Sequence, residues 1–258
     1  MVVPPPFFGN RKIILSIRTG PRDVQLDCRT RMSTFVAERM CDMPMFGLFI
    51  DPLYLMVLIP GMLLAGWATL SVKSRFARWS RVASSSGRTG AETAREILRR
   101  NGLFDVKVEM AHGLLSDHYD PRTRTVRLSP DVYSRASVAS VAVAAHEVGH
   151  ALQHAKEYTP LALRSAAVPI ASLGSYAPWI IMIGGFLLHS LTLIYVGVVL
   201  FTVTVLFQLI TLPVEFNASA RAKQQLQQLG LVNGRDAEGV SKVLSAAAMT
   251  YVAAAVTA

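Results

Sequence analysis

The sequence predicts a mainly α-helical membrane protein, with about three to four transmembrane helices and a small cytoplasmic α+β domain. Three observations carry this expectation. Hydrophobic residues make up 52% of the 258-residue chain and charged residues only 17%, against about 25% charged in a soluble domain. From Ser165 to Val214 the chain carries no Asp, Glu, Lys or Arg. Between residues 73 and 164 the composition turns polar, and the cap and turn signals concentrate there.

Residues 1–44 open on Pro4-Pro5-Pro6, mix Arg with Asp without periodicity and hold both cysteines, Cys28 and Cys41. They read as a disordered or spurious extension, and no signal-peptide pattern is visible. Two cysteines in such a stretch provide neither a disulfide framework nor a Cys-based zinc site. The formal charge of +9 fits the Lys/Arg-rich cytoplasmic loops of membrane proteins. A nucleic-acid partner is not expected, because no aromatic-interleaved basic stripe accompanies the charge.

Residues 45–72 form the first expected transmembrane helix. Pro52 to Val72 supplies the roughly 20 apolar residues needed to cross about 30 Å of hydrocarbon. Lys73, Arg75, Arg78 and Arg81 follow directly, which places residue 73 onward in the cytoplasm by the positive-inside rule. Within 73–164, Thr89-Gly90-Ala91-Glu92 is a capping box, and Gly102 sits where a helix C-terminus belongs, predicting a helix over about 90–101. Val106–Glu109 and Thr125–Leu128 alternate as strands, with a turn at Asp120-Pro121. Ser137 is the expected N-cap of a helix running to about Lys156.

The uncharged stretch 165–214 fits two spans, near 166–188 and 190–212, turning at His189. Glu215–Leu229 reads as a polar helix ended by Gly230. An Ala-rich helix from about Asp236 closes the chain; its apolar run after Lys242 is short for a span, which leaves an interfacial helix, a packing helix or a truncated fourth span. A hairpin leaving the cytoplasm after Arg164 and returning at Val214 puts Glu215 on the same side as residues 73–164.

The chemistry concentrates in His146-Glu147-Val148-Gly149-His150. Two histidines at i and i+4 differ by about 40° in azimuth and about 6 Å in rise, so both imidazoles can grip one ion. The Glu beside the first His can take a proton from a water activated by that ion. The run Ser137–Ala145 ahead of it is small and apolar, and Gly149 would let another backbone come close. His, Glu and His within an apolar helix argue against a solvated surface, since burying them unpaired is costly.

A catalytic zinc needs a third protein ligand. His154 lies about 12 Å along the axis from His146, too far to share one ion. His189 falls on the other side of the membrane, Asp236 reads as an N-cap and Glu238 as an exposed first-turn residue. Glu215 is the favoured ligand; otherwise it is an N-terminal carboxylate answering the helix dipole. His112, His118 and Tyr119 could stabilise an oxyanion, or Ser116–Pro121 is a well-made turn. Thr125–Leu128 could bind an extended substrate as an added strand, or simply cover the catalytic helix.

From about Met45 to the end, the chain resembles the YugP-type neutral zinc metallopeptidases of bacterial membranes. The resemblance lies in Ser116-Asp117-His118-Tyr119-Asp120-Pro121, Val126–Tyr133, the helix Ala142–His154 and Thr211–Ser219. In organisation it is also similar to the HtpX-type membrane peptidases. These likenesses imply a zincin-like domain with Zn²⁺ held by His146, His150 and Glu215, and Glu147 as general base. They also imply protein or peptide substrates and a lipid-bilayer setting. One position departs from the HtpX pattern: four residues after the ligand Glu stands Ser219 where that pattern has Asp, so a histidine would be oriented differently. His154 is expected beside the site or on the surface. The expected function is a membrane-embedded zinc metalloendopeptidase acting on membrane or membrane-adjacent proteins. The alternative is a non-catalytic metal-binding membrane scaffold, which has no need of Glu147. Nothing in the sequence specifies an oligomeric state.

Overall fold

The computed structural model describes residues 52–113, 116–174 and 176–257. The extension 1–44 and the start of the first expected span lie outside them. The chain divides into two units, Met1–Leu55 and Met56–Ala258, and all that follows, apart from the first turn of the first helix, belongs to the second.

The first helix, α1 (Pro52–Trp79), runs past Val72 and takes Lys73, Arg75 and Arg78 into its last turns. Helix α2 (Gly90–Arg100) starts on the expected capping box: Thr89 accepts from the Glu92 N–H, and Glu92 accepts from the Thr89 N–H. These hydroxyl and carboxylate caps satisfy donors that a helix start otherwise leaves open. The capping side chain and the buried Ala94, Ile97 and Leu98 fix the helix on the core.

Three strands follow, β1 (Lys107–Met110), β2 (His118–Asp120) and β3 (Thr125–Leu128). The sheet order is β1-β3-β2, with β1 parallel and β2 antiparallel to β3. Sequence alternation marks the first and last of these. The short β2 escapes it because its residues read as a turn: Asp120 does accept from the Arg122 N–H and the Thr123 hydroxyl at the β2–β3 corner. These bonds, with Arg127 beside them, hold the Asp120 carboxyl at about 2.

A short helix, α3 (Pro130–Ser134), leads to α4 (Val138–Ala155). Ser137 caps α4 as expected, accepting from the Ser140 N–H. Nearly all of α4 is buried, because its Ala- and Val-rich surface is packed by α2 and α3 on one side and by the C-terminal helices on the other.

The uncharged stretch differs from two plain spans. Its first leg consists of α5 (Thr159–Gly174) and α6 (Ala177–Leu187). Pro178 in the first turn of α6 accounts for the division: its ring has no N–H to bond back to the Gly174 carbonyl, so α5 cannot continue through it. The turn at His189 has φ +51, and Ser190 then caps α7. Helix α7 (Leu191–Gln228) is continuous through Pro213, so Glu215 lies inside a long helix rather than at the start of one. The reading of Glu215 as an N-terminal carboxylate fails on this continuity. Helix α8 (Gly234–Thr257) closes the chain. Asp236 is not its N-cap: it sits in the first turn, and its carboxylate accepts from the Ser85 N–H at 2.7 Å.

Helices α7 and α8 are each long and apolar enough to cross a membrane. The apolar part of α7 is nearly unburied within the molecule, with Leu191, Tyr195, Val199, Leu206 and Leu209 exposed. Beyond Pro213 the same helix turns buried at Val214, Glu215, Ala218, Ser219, Ala222 and Leu226. It thus changes from an apolar outer rod to a core element within one turn.

That core element meets α4 at Gly149. A Cβ there would lie 2.6 Å from the Ala218 carbonyl oxygen, a backbone atom with no freedom to swing away. Gly149→Ala must therefore push the two helices apart, and we expect it to lower stability by about 1–3 kcal/mol. Thermal unfolding checks this; a variant with unchanged Tm would contradict so close an approach.

Candidate metal centre

The facing surfaces of α4 and α7 bring three ligand atoms together. His146 and His150 come from α4, one turn apart, and Glu215 comes from α7. One nitrogen from each histidine and one carboxylate oxygen lie within 4.8 Å of one another. Glu215 Oε2 is 3.2 Å from His146 Nε2 and 3.7 Å from His150 Nε2. Ligands bonded at 2.0–2.1 Å to a tetrahedral zinc stand about 3.3–3.4 Å apart, so the spacing suits that ion. The Glu215 side chain is 3% exposed, and burial of a carboxylate against two imidazoles is what a cation between them would compensate.

The far nitrogens of both rings are engaged. Gln153 is fully buried and donates through Nε2 to the Val214 carbonyl at 2.8 Å and to Asn217 Oδ1 at 3.0 Å. Its Oε1 therefore faces His150, whose Nδ1–H donates to it at 3.0 Å. Ser219 Oγ stands 3.1 Å from His146 Nδ1, and its hydroxyl can donate or accept there. His150 thus carries its proton on Nδ1 and keeps the Nε2 lone pair for a metal, and a metal on His146 Nε2 would set the same tautomer with Ser219 as acceptor. Ser219 thus occupies the place of the expected Asp with a shorter, neutral acceptor. Asn217 in turn accepts from Arg221 Nε at 2.7 Å, extending the clamp along α7.

Glu147 is buried, 8% exposed, and no hydrogen bond or ion pair holds it among the described residues. Burial pushes its carboxyl up to about 7, with His146 drawing it down and Glu215 pushing it further up. A divalent cation at the triad would draw it lower.

A cleft of about 480 Å³ opens over these groups. Its walls include β2 and the β2–β3 corner, the first turns of α5 through Leu161, Arg164, Ser165 and Val168, and Tyr251 of α8. Arg164 NH2 lies 3.4 Å from Glu215 Oε1, the oxygen turned away from the imidazoles. Strand β3 is the middle of the sheet and has both edges paired, so it cannot accept a further strand. The free edge at the cleft is β2, and the reading of Thr125–Leu128 as a substrate-binding strand is corrected accordingly.

The remaining sequence candidates separate by position. His118 borders the cleft, with its Nδ1 2.7 Å from the Ser116 carbonyl oxygen. Tyr119 also borders it, yet its hydroxyl is 2.8 Å from His154 Nδ1. That pair lines a separate small hollow with Leu103, Asp105 and Arg124, so His154 stands apart from the triad. His112 is exposed and does not border the cleft. Asp117 accepts from the Ser129 N–H and hydroxyl, tying the approach to β2 onto the start of α3; burial raises its carboxyl. Gln153, Arg164 and Tyr251 escape sequence reasoning. Gln153 leaves a signal, a lone amide three residues after His150 in an apolar helix, and Arg164 leaves one as the last charge before the uncharged stretch.

A family model described as "Putative neutral zinc metallopeptidase" matches residues 54–258. Over 203 residues the chain is 53% identical to "Putative membrane protease YugP" of Bacillus subtilis (strain 168), covering 79% of this chain and 90% of that protein. No solved structure matches it. With zinc as the family's metal, and a His₂Glu triad spaced to hold it, the chain belongs to this family of neutral zinc metallopeptidases.

Proposed function

We propose that the protein is a membrane-embedded endopeptidase that hydrolyses peptide bonds of membrane or membrane-adjacent proteins, using a zinc ion held by His146, His150 and Glu215. The observation that carries this reading is Glu147. The triad is complete without it, yet this second carboxylate is buried at the same centre with no protein partner among the described residues. A metal-storing scaffold would gain nothing from that arrangement, whereas a hydrolase needs it.

Bound zinc supplies a nucleophile at neutral pH, by lowering the pKa of a water, and polarises the scissile carbonyl. Glu147 takes one proton from the attacking water and delivers it to the nitrogen as the C–N bond breaks. Ser219 and Gln153 hold the two imidazoles in orientation and tautomer. The free edge of β2 can align an extended peptide by main-chain hydrogen bonds. We place the centre at the cytoplasmic face: Lys73, Arg75, Arg78 and Arg81 follow the first apolar helix, and the His189 turn between α6 and α7 has no Lys or Arg beside it. By that topology α1, the α5–α6 leg, α7 and, on length, α8 contribute the three to four spans.

Three outcomes test this. Glu147→Gln is expected to retain zinc while cleavage of an unfolded membrane protein falls about 10²–10⁴-fold; equal cleavage by the two proteins would remove the assigned base. Because protonated Glu147 cannot accept a proton, kcat/KM is expected to fall with decreasing pH, with its acid limb below pH 7. A profile flat down to pH 4 would exclude Glu147 from that role. Ser219→Ala and Gln153→Leu should each weaken zinc binding about 10–100-fold, measured by chelator competition; unchanged affinity in both would show that these contacts do not orient the ligands.

A further inference from the structure

Arg164 combines a structural contact with an unmet capacity. It lies early in α5, borders the cleft beside His146, Glu147 and His150, and its side chain is 29% exposed. Its single ion-pair partner among the described residues is Glu215 Oε1, 3.4 Å away. The Nε–H is buried and without a hydrogen-bond partner. A guanidinium offers five N–H donors in a planar fork, and one carboxylate oxygen at that distance satisfies little of it. Largely burying a permanent charge with so few bonds is costly. Such unmet groups in folded proteins call for a specific explanation, a ligand among them.

The other groups around the cleft are less suited to negative charge on a substrate. His118 is exposed with one ring nitrogen against a carbonyl, Tyr119 has its hydroxyl on His154, and Tyr251 is a neutral donor. Arg122 is exposed at the β2–β3 corner. Arg164 alone among the cleft's cations touches a metal-ligand carboxylate.

We propose that Arg164 does two things. It holds Oε1 of Glu215, so that Oε2 alone is offered to the metal, and it donates N–H hydrogen bonds to the substrate carbonyl oxygen as that oxygen gains negative charge. The first task requires only the triad; the second rests on the metallopeptidase reading above. No bond to Arg164 forms or breaks. Water oxygen joins the carbonyl carbon, the C–N bond breaks, the proton passes through Glu147 to nitrogen, and Arg164 stabilises the charge that builds between those events.

The test uses the full chain in detergent micelles, loaded with zinc, as wild type, Arg164→Ala and Arg164→Lys. Zinc affinity is measured by chelator competition. At saturating zinc, kcat and KM are measured on an internally quenched peptide blocked at both ends. Binding is compared for a phosphinic peptide, whose anionic phosphorus centre mimics the charged oxygen, and for the matching uncleaved amide peptide. Arg164→Ala is expected to weaken zinc about 10-fold and to lower kcat about 10²-fold with KM changed only a few-fold. It should weaken the phosphinic peptide by a factor close to that in kcat while leaving the amide peptide within a few-fold. Arg164→Lys, which keeps the charge without the fork, should fall between; should the Ala variant not fold, Lys against wild type carries the same comparison. Zinc affinity equal to wild type overturns the first task. Phosphinic-peptide affinity and kcat within about threefold of wild type overturn the second. A wild type that binds zinc and the phosphinic peptide but cleaves no peptide would sink the endopeptidase reading instead, and the two binding comparisons would still decide Arg164.

Discussion

The close approach of α4 and α7 at Gly149 and Ala218 is the constraint on which the metal centre depends. Two ligands sit on one helix and the third on the other, so the gap between the helices sets the ligand spacing. With a bare glycine on α4, the backbones come near enough for Glu215 Oε2 to reach 3.2 Å from His146 Nε2. Gln153 then fastens the same contact from α4 to the Val214 carbonyl and Asn217 of α7. Glycine permits the approach and glutamine holds it, and both lie within one turn of His150.

The centre also separates two buried carboxylates into different chemical states. Glu215 faces two imidazoles through one oxygen and a guanidinium through the other, and such neighbours favour its charged form. Glu147, one residue from a ligand, has burial without partners, and its carboxyl rises to about 7. Under the proposed function, two glutamates lining one cleft are thereby suited to unlike tasks, a lasting ligand and a group that gains and loses a proton. The difference comes from the helices: α7 presents Glu215 across the interface to the α4 histidines, while Glu147 lies buried on α4 and lines the cleft.

Much of this was legible in the sequence, for reasons that are local. The Thr89–Glu92 capping box, the Ser137 cap and the alternation of Thr125–Leu128 depend on residues within a few positions of each other, and each appears where expected. The His146–His150 pairing follows from helical spacing alone. Glu215 became visible by elimination among few charged residues. What was not legible depends on tertiary contact. Strand β2 exists because β3 offers it an edge, whereas its own residues read as a turn. The continuity of α7 through Pro213 was obscured because proline ordinarily interrupts a helix; here the packing of Val214, Ala218 and Ala222 in the core carries the helix on. Asp236 was assigned to its own helix because the Ser85 N–H it binds comes from a distant loop. Gln153 and Arg164 acquire meaning only once α4, α5 and α7 meet.

That continuity of α7 bears on where such a centre would work. A helix rises about 1.5 Å per residue, so the exposed Leu209 lies only about 9 Å along the axis from Glu215, and Leu206 about 14 Å. No linker separates the apolar rod from Glu215, because both belong to one continuous helix. Helix α5 repeats the arrangement from the other side, since Leu161, Arg164, Ser165 and Val168 wall the cleft while the helix runs on into uncharged sequence. If the exposed apolar surfaces of α7 face lipid, the cleft must lie within about one helix turn or two of the hydrocarbon boundary. Under the proposed function, a folded domain away from the bilayer is then a poor substrate on geometry alone. A chain segment emerging from the bilayer, extended enough to lie along β2, already has its backbone at the height of the metal. Under the proposed function, the membrane setting and the metallopeptidase chemistry are therefore coupled through one continuous helix, and substrate choice would follow from position before it follows from any side-chain pocket.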